Sequence, residues 1–101
     1  MQFAKRPWGF WLTLYKGKHF KIKLIRFKIG KSLSLQRHEY RSELWVFLSG
    51  KGVMLNAGAV HKGDYAFIQQ GAWHKFIAGA NTWVLEIQYG EKCEEIDIER
   101  K

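Results

Sequence analysis

From residue 19 to residue 90 the chain is a series of short apolar runs, each closed by a glycine-bearing turn. That rhythm fits a fold made of many short strands and little else. Segment 19–28 (HFKIKLIRFK) alternates, with Phe20, Ile22 and Leu24 on one side and Lys21 and Lys23 on the other. Segment 44–48 (LWVFL) is an apolar run bounded by Ser49-Gly50-Lys51-Gly52, and 52–56 (GVMLN) follows at hairpin distance. Segments 64–68 (DYAFI), 74–78 (HKFIA) and 82–89 (TWVLEIQY) are the next expected strands. No stretch before residue 90 has a 3.6-residue apolar period. Only the charged tail, 91–101, is open to reading as a short helix, a strand or a frayed end. A small antiparallel sheet leaves sticky edges unless it closes, so a sandwich or closed barrel is expected.

The bulk numbers agree with one domain over residues 1–101. Hydrophobic residues make up 47% of the chain, which supplies one core and argues against disorder. Cys93 is the only cysteine, so no intrachain disulfide can form, as suits a reducing compartment. Its acidic neighbours Glu94 and Glu95 disfavour a thiolate, so it reads as structural or incidental, not as a nucleophile. The apolar stretch at the N-terminus is short and ends at Lys16, unlike a secretory signal. No run approaches the ~20 apolar residues of a membrane helix. The cytoplasm is the expected location.

Charge is uneven. Residues 1–41 carry eleven Lys and Arg against Glu39 alone, and residues 42–101 carry six against eight acids, which gives +10 and −2 for the overall +8. A nucleic acid or a small phosphorylated ligand would suit the basic half. Lysines that keep strand edges soluble explain it at least as well. Nucleic acid is the weakest of the three, because the lysines alternate along strands and no aromatic-basic RNA motif is present.

Four residues carry potential chemistry. Gln36 and His38 are two apart and share a strand face. Glu43 opens the next apolar run, and His74 follows Gly71-Ala72-Trp73. Two imidazoles, a carboxylate and an amide oxygen form a mixed set that suits one divalent transition metal: Zn, Mn, Fe, Co or Ni. By residue type alone, a surface histidine and a satisfied core histidine explain them equally well. Glycine spacing adds weight. Gly30, Gln36, His38, Glu43 and Gly50 resemble in spacing the first motif of the cupin superfamily, with Gln36 in place of its first histidine. Gly63, Gly71 and His74 resemble the second, with Gln69 and Ala78 replacing its usual proline and asparagine. The resemblance implies a small cupin jelly-roll barrel in which glycines 30, 50, 63 and 71 make the turns.

A narrower resemblance covers almost the whole chain. Arg6-Pro7-Trp8-Gly9, Leu33-Ser34-Leu35-Gln36-Arg37-His38, Arg41, Glu43, Trp45, Glu86, Gln88, Glu95, Asp97-Ile98 and Arg100 are similar to the C-terminal domain of type II mannose-6-phosphate isomerases. That family usually has histidines where Tyr40 and Leu44 stand, though neither is a ligand by cupin spacing. It implies interconversion of mannose 6-phosphate and fructose 6-phosphate through an enediol. The metal would be held by Gln36, His38, Glu43 and His74, and the substrate phosphate by Lys21, Lys23 and Arg41. Glu86, as base, and Arg100, a further cation for the phosphate, are the catalytic candidates. Glu86 shares a strand face with Gln88 and Val84; the plainer reading makes it a rim carboxylate paired with a lysine. His19 and His61 read as surface residues. The tryptophans suit a core and a dimer interface, and the resemblance implies a homodimer. Nucleotidyl transfer is not expected of a chain with no glycine-rich nucleotide loop. The competing expectation is a cupin that binds a sugar or other small ligand without turnover.

Overall fold

The computed structural model of the chain describes residues 2–55 and 57–101; Asn56, the last residue of the expected strand 52–56, lies outside them. The described residues run β1 (Phe3–Arg6), β2 (Gly9–Lys16), β3 (Phe20–Phe27), β4 (Gln36–Arg37), β5 (Arg41–Ser49), β6 (Lys51–Met54), β7 (Gly58–His61), β8 (Tyr65–Ile68), β9 (Phe76–Ala78), β10 (Thr82–Gly90) and β11 (Glu99–Arg100). No helix occurs among them, and the tail is irregular apart from β11. One antiparallel sheet has the order β1-β2-β3-β10-β5-β8, a second has β7-β6-β9, and β11 pairs with β4. Side chains from the two larger sheets meet in one core, where the Phe27 and Phe76 rings lie 4.9 Å apart.

The four motif glycines all adopt positive φ, from 77° to 92°. Gly50 is doubly constrained. A Cβ there would also collide with the Thr82 hydroxyl and the Asn81 carbonyl, so neither the backbone angle nor the space admits another residue.

The interior changes character along its length. At one end Phe27 and Ile25 of β3, Phe47 and Trp45 of β5, and Thr82 and Val84 of β10 are buried. At the other end the same strands send in Lys21 and Lys23, Arg41 and Glu43, and Glu86 and Gln88. Register aligns these layers: Glu86 stands opposite Lys23 on one side and Trp45 on the other.

Of the two faces of β3, the one that carries the lysines is the inner one. Lys21 and Lys23 are 1% and 4% exposed, while Phe20, Ile22 and Leu24 face outward. The reason is the two-residue period. Ile25 and Phe27 fill the core, and the lysines share their face. Strand-edge solubility is therefore not what these two lysines provide.

Burying two ammonium groups is costly unless an anion meets them. Glu95 of the tail does so, 2.9 Å from Lys21 Nζ and 2.7 Å from Lys23 Nζ. Lys23 also lies over the Trp11 ring, 3.8 Å from its centroid. Burial raises the Glu95 pKa, but the two ammonium groups outweigh this and hold it down at about 2. Glu95→Ala should therefore lower unfolding free energy in urea. We expect a loss of about 2 kcal/mol, below the fully buried range because Glu95 is 36% exposed. A carboxylate with a depressed pKa stabilises above its unfolded value, so the difference should fade as pH falls from 4.5 towards 2.

Candidate metal centre

Three segments converge at the polar end of the interior. The turn between β4 and β5 carries His38, β5 carries Glu43, and the loop before β9 carries His74. All three are buried, and one donor atom from each lies within 4.8 Å of the other two. Glu43 Oε2 is 3.2 Å from His38 Nε2, and Glu43 Oε1 is 3.8 Å from His74 Nε2.

Backbone contacts fix how the histidines present themselves. Nδ1 of His38 lies 2.6 Å from the Asp97 carbonyl oxygen, and Nδ1 of His74 lies 3.3 Å from that of Ala72. A carbonyl only accepts, so both Nδ1 atoms donate and each Nε2 keeps its lone pair; that of His38 meets Arg41 Nη2 at 3.2 Å, and that of His74 faces Glu43. Burial, followed by the charge of Arg41, lowers the His38 pKa to about 4; burial also lowers that of His74. Both rings are therefore neutral at neutral pH, the form that binds metal.

Glu43 is held by two donors, Trp45 Nε1 to Oε1 and Arg41 Nε to Oε2, each at 3.0 Å. No protein donor reaches His74 Nε2 among the described residues, and the atom facing it is another acceptor. Two acceptors turned towards each other call for a cation between them. Cis donors on a centre with ~2.1 Å bonds stand roughly 3.0–3.5 Å apart; the His38–Glu43 distance of 3.2 Å falls in that range and the His74–Glu43 distance of 3.8 Å is a little longer. Imidazole with carboxylate suits Zn, Mn, Fe, Co or Ni. The residues present fit a divalent metal.

Of the fourth expected ligand, the structure gives proximity. Gln36 bridges His74 backbone to backbone, with Gln36 N donating to His74 O at 3.0 Å and His74 N to Gln36 O at 2.8 Å. Its amide nitrogen donates to Ser34 O, and its side chain lines the same cavity. That cavity, of about 470 Å³, is also lined by Lys23, Arg41, Glu86, Arg6 and Arg100. Its size is that of a small-molecule site.

The remaining candidates divide. Glu86 is buried and takes a hydrogen bond from the Gln88 amide rather than an ion pair with lysine. Burial, reinforced by nearby Glu43, raises its pKa to about 7. Lys21 is buried against Glu95, outside the cavity lining, whereas Lys23 belongs to it. Arg100 is exposed, and its guanidinium has no carboxylate partner among the described residues. Tyr40 stands outside the cavity, and Leu44 points to the outer face of the sheet. Sequence reasoning missed Asp97 and Glu95 as parts of the site. Asp97 also accepts from the amides of Glu39 and Tyr40 at 2.9 Å, which pins the turn that carries His38. The signal available was a cluster of acids at the end of a chain whose first half is basic.

The fold is that of the cupins. Solved structures agree. A cupin-2 domain from Rhodospirillum rubrum superposes with a TM-score of 0.79 at 19% identity, covering 95% of this chain and 77% of that one. A putative sugar phosphate isomerase from Acidithiobacillus ferrooxidans gives 0.61 at 28% identity, covering 70% and 50%. The family described as mannose-6-phosphate isomerase C-terminal matches residues 2–101, and the chain belongs to it. Among curated relatives, a mannose-1-phosphate guanylyltransferase of Sinorhizobium fredii and the alginate biosynthesis protein AlgA of Pseudomonas putida are each 32% identical over 94% of this chain. The match covers 20% and 21% of those proteins, so the chain spans about a fifth of their length.

The tautomer assignment is testable by 15N NMR of the imidazoles. In the metal-free chain His38 should stay neutral and Nδ1-protonated through pH 6 and titrate near pH 4. An ordinary titration near 6.5 would contradict the geometry described.

Proposed function

We propose that the chain is a metal-dependent aldose–ketose isomerase acting on a phosphorylated sugar, of the mannose-6-phosphate isomerase kind, in polysaccharide precursor metabolism. The observation that carries this reading is Glu86: a buried carboxylate with a pKa of about 7, in the same cavity as the His38–Glu43–His74 face. Isomerisation needs a base that takes a proton from C2 of the aldose and returns it at C1, and such a base works best when poised near the operating pH. Glu86 is the group we assign to that transfer. A divalent metal on His38, Glu43 and His74, with Gln36 beside them, would serve as a Lewis acid towards the substrate's carbonyl and hydroxyl oxygens.

For the phosphate, Arg100 is the best placed of the expected cations, because it is exposed and lines the cavity. Arg6, which the sequence offered only as part of the Arg6-Pro7-Trp8-Gly9 motif and not as a phosphate ligand, lines it too. Lys21 and Lys23 are held by Glu95, and Arg41 by Glu43, so in this reading they are already paired within the protein. The single cysteine, buried, suits a cytoplasmic setting.

A binding cupin without turnover is the second reading, motivated by the missing histidines at 40 and 44. Their side chains lie away from the cavity, which favours the catalytic reading. A coupled assay for fructose 6-phosphate formed from mannose 6-phosphate separates the two. The wild type should turn over, with activity rising with pH through about 7 as Glu86 ionises. Glu86→Gln should lower kcat by about 10²–10⁴-fold. Wild-type protein that binds metal and sugar phosphate but forms no ketose would establish the second reading instead.

A second copy of the chain is the partner we assign to the outer face of the six-stranded sheet. There Ile22, Leu24, Leu44, Val46, Leu85 and Ile87 stand side by side, flanked by exposed Phe20, Phe67 and Tyr89. Homodimer interfaces are apolar at their centre. Light scattering should give twice the chain mass of 11.9 kDa, and Leu44→Glu combined with Leu85→Glu should give the monomer.

A further inference from the structure

Arg41 occupies an unusual position relative to the metal-binding face. Its guanidinium is buried and donates through three different nitrogens: Nε to Glu43 Oε2 at 3.0 Å, Nη2 to His38 Nε2 at 3.2 Å, and Nη1 to the Glu94 carbonyl at 2.9 Å. Two of those acceptors belong to the residues that face the metal. His38 Nε2 has a single lone pair in the plane of its ring, because Nδ1 keeps its proton for Asp97. That lone pair can meet a guanidinium N–H or a metal ion, not both. Glu43 differs, since its carboxylate has lone pairs enough to serve a guanidinium and a metal together.

We infer that Arg41 is the built-in cation of the metal-free site and that a divalent metal must displace its Nη2 from His38 in order to bind. The inference rests on reading His38, Glu43 and His74 as a metal site. Arg41 cannot yield by losing its proton, because guanidinium stays charged in proteins, so it yields only by moving. Its charge balances Glu43 in the metal-free protein, and its Nη2 bond to His38 is what a metal has to break. Arg41 thus stabilises the empty fold and weakens metal affinity. A residue that merely positioned Glu43 for the metal would do the reverse, and its removal would loosen binding.

The two roles predict opposite signs. Cobalt(II) titration of the intact chain, followed by visible d–d absorption, reads affinity directly, and thermal unfolding with and without cobalt reads stability. Arg41→Met keeps the length of the side chain and removes the charge. It should melt lower than wild type without metal, recover when cobalt is added, and bind cobalt about 10-fold more tightly or better, within the usual range of coupling between sites. Arg41→Lys, which keeps a charge but not the fork, should fall between the two. Wild-type binding with equal or weaker affinity in Arg41→Met would overturn the inference and leave the metal site standing. Failure of Arg41→Met to fold even with cobalt would also overturn it. A wild type that binds no cobalt would remove the metal site, and the inference with it.

Discussion

Charge neutralisation inside a small barrel is the constraint on which the rest of this structure depends. Lys21, Lys23, Arg41, Glu43 and Glu86 all lie at 5% exposure or below in a chain of 101 residues. Single charges buried this way would be prohibitive, and even paired ones return little net stability. The arrangement survives because each charge has a partner or a shifted pKa. Glu95 meets both lysines, Arg41 meets Glu43, and Glu86 takes up a proton near neutrality. The apolar layer formed by Phe27, Trp45, Phe47, Phe76 and Val84 supplies the stability that the polar end does not.

The tail belongs to this balance. Residues 91–101 have almost no regular structure, yet Glu95 neutralises two lysines, Asp97 sets the His38 tautomer, and the Glu94 carbonyl anchors Arg41. Arg37 and Glu99 add an exposed pair on the outside. Three cations of the basic first half, Lys21, Lys23 and Arg37, thus meet acids of the tail.

What the sequence revealed and what it concealed follow from range. Strand positions, the turn glycines and the ligand spacing are local, and Gly50 or the Gln36–His38 pair could be read from neighbours. The facing of β3 was ambiguous: a two-residue period defines two faces but not which one is inside, and only Ile25 and Phe27 settle it. The partner of the lysines was out of reach, since Glu95 lies 74 and 72 residues away along the chain. Asp97 was hidden for the same reason, 59 residues from His38. Arg41 is different: Glu43 and His38 are two and three residues away, and only its Glu94 contact is distant, so what the sequence concealed was the direction in which the guanidinium points.

The central claim is that His38, Glu43 and His74 form a metal-binding face, and elemental analysis of the purified chain tests it most directly. The account predicts a divalent transition metal at about one equivalent per chain, the stoichiometry of a single three- or four-ligand site. It predicts loss of that metal in the folded Glu43→Gln, His74→Ala double variant. A wild type that stays metal-free after incubation with zinc, cobalt and manganese, or a double variant that keeps its metal, would contradict it.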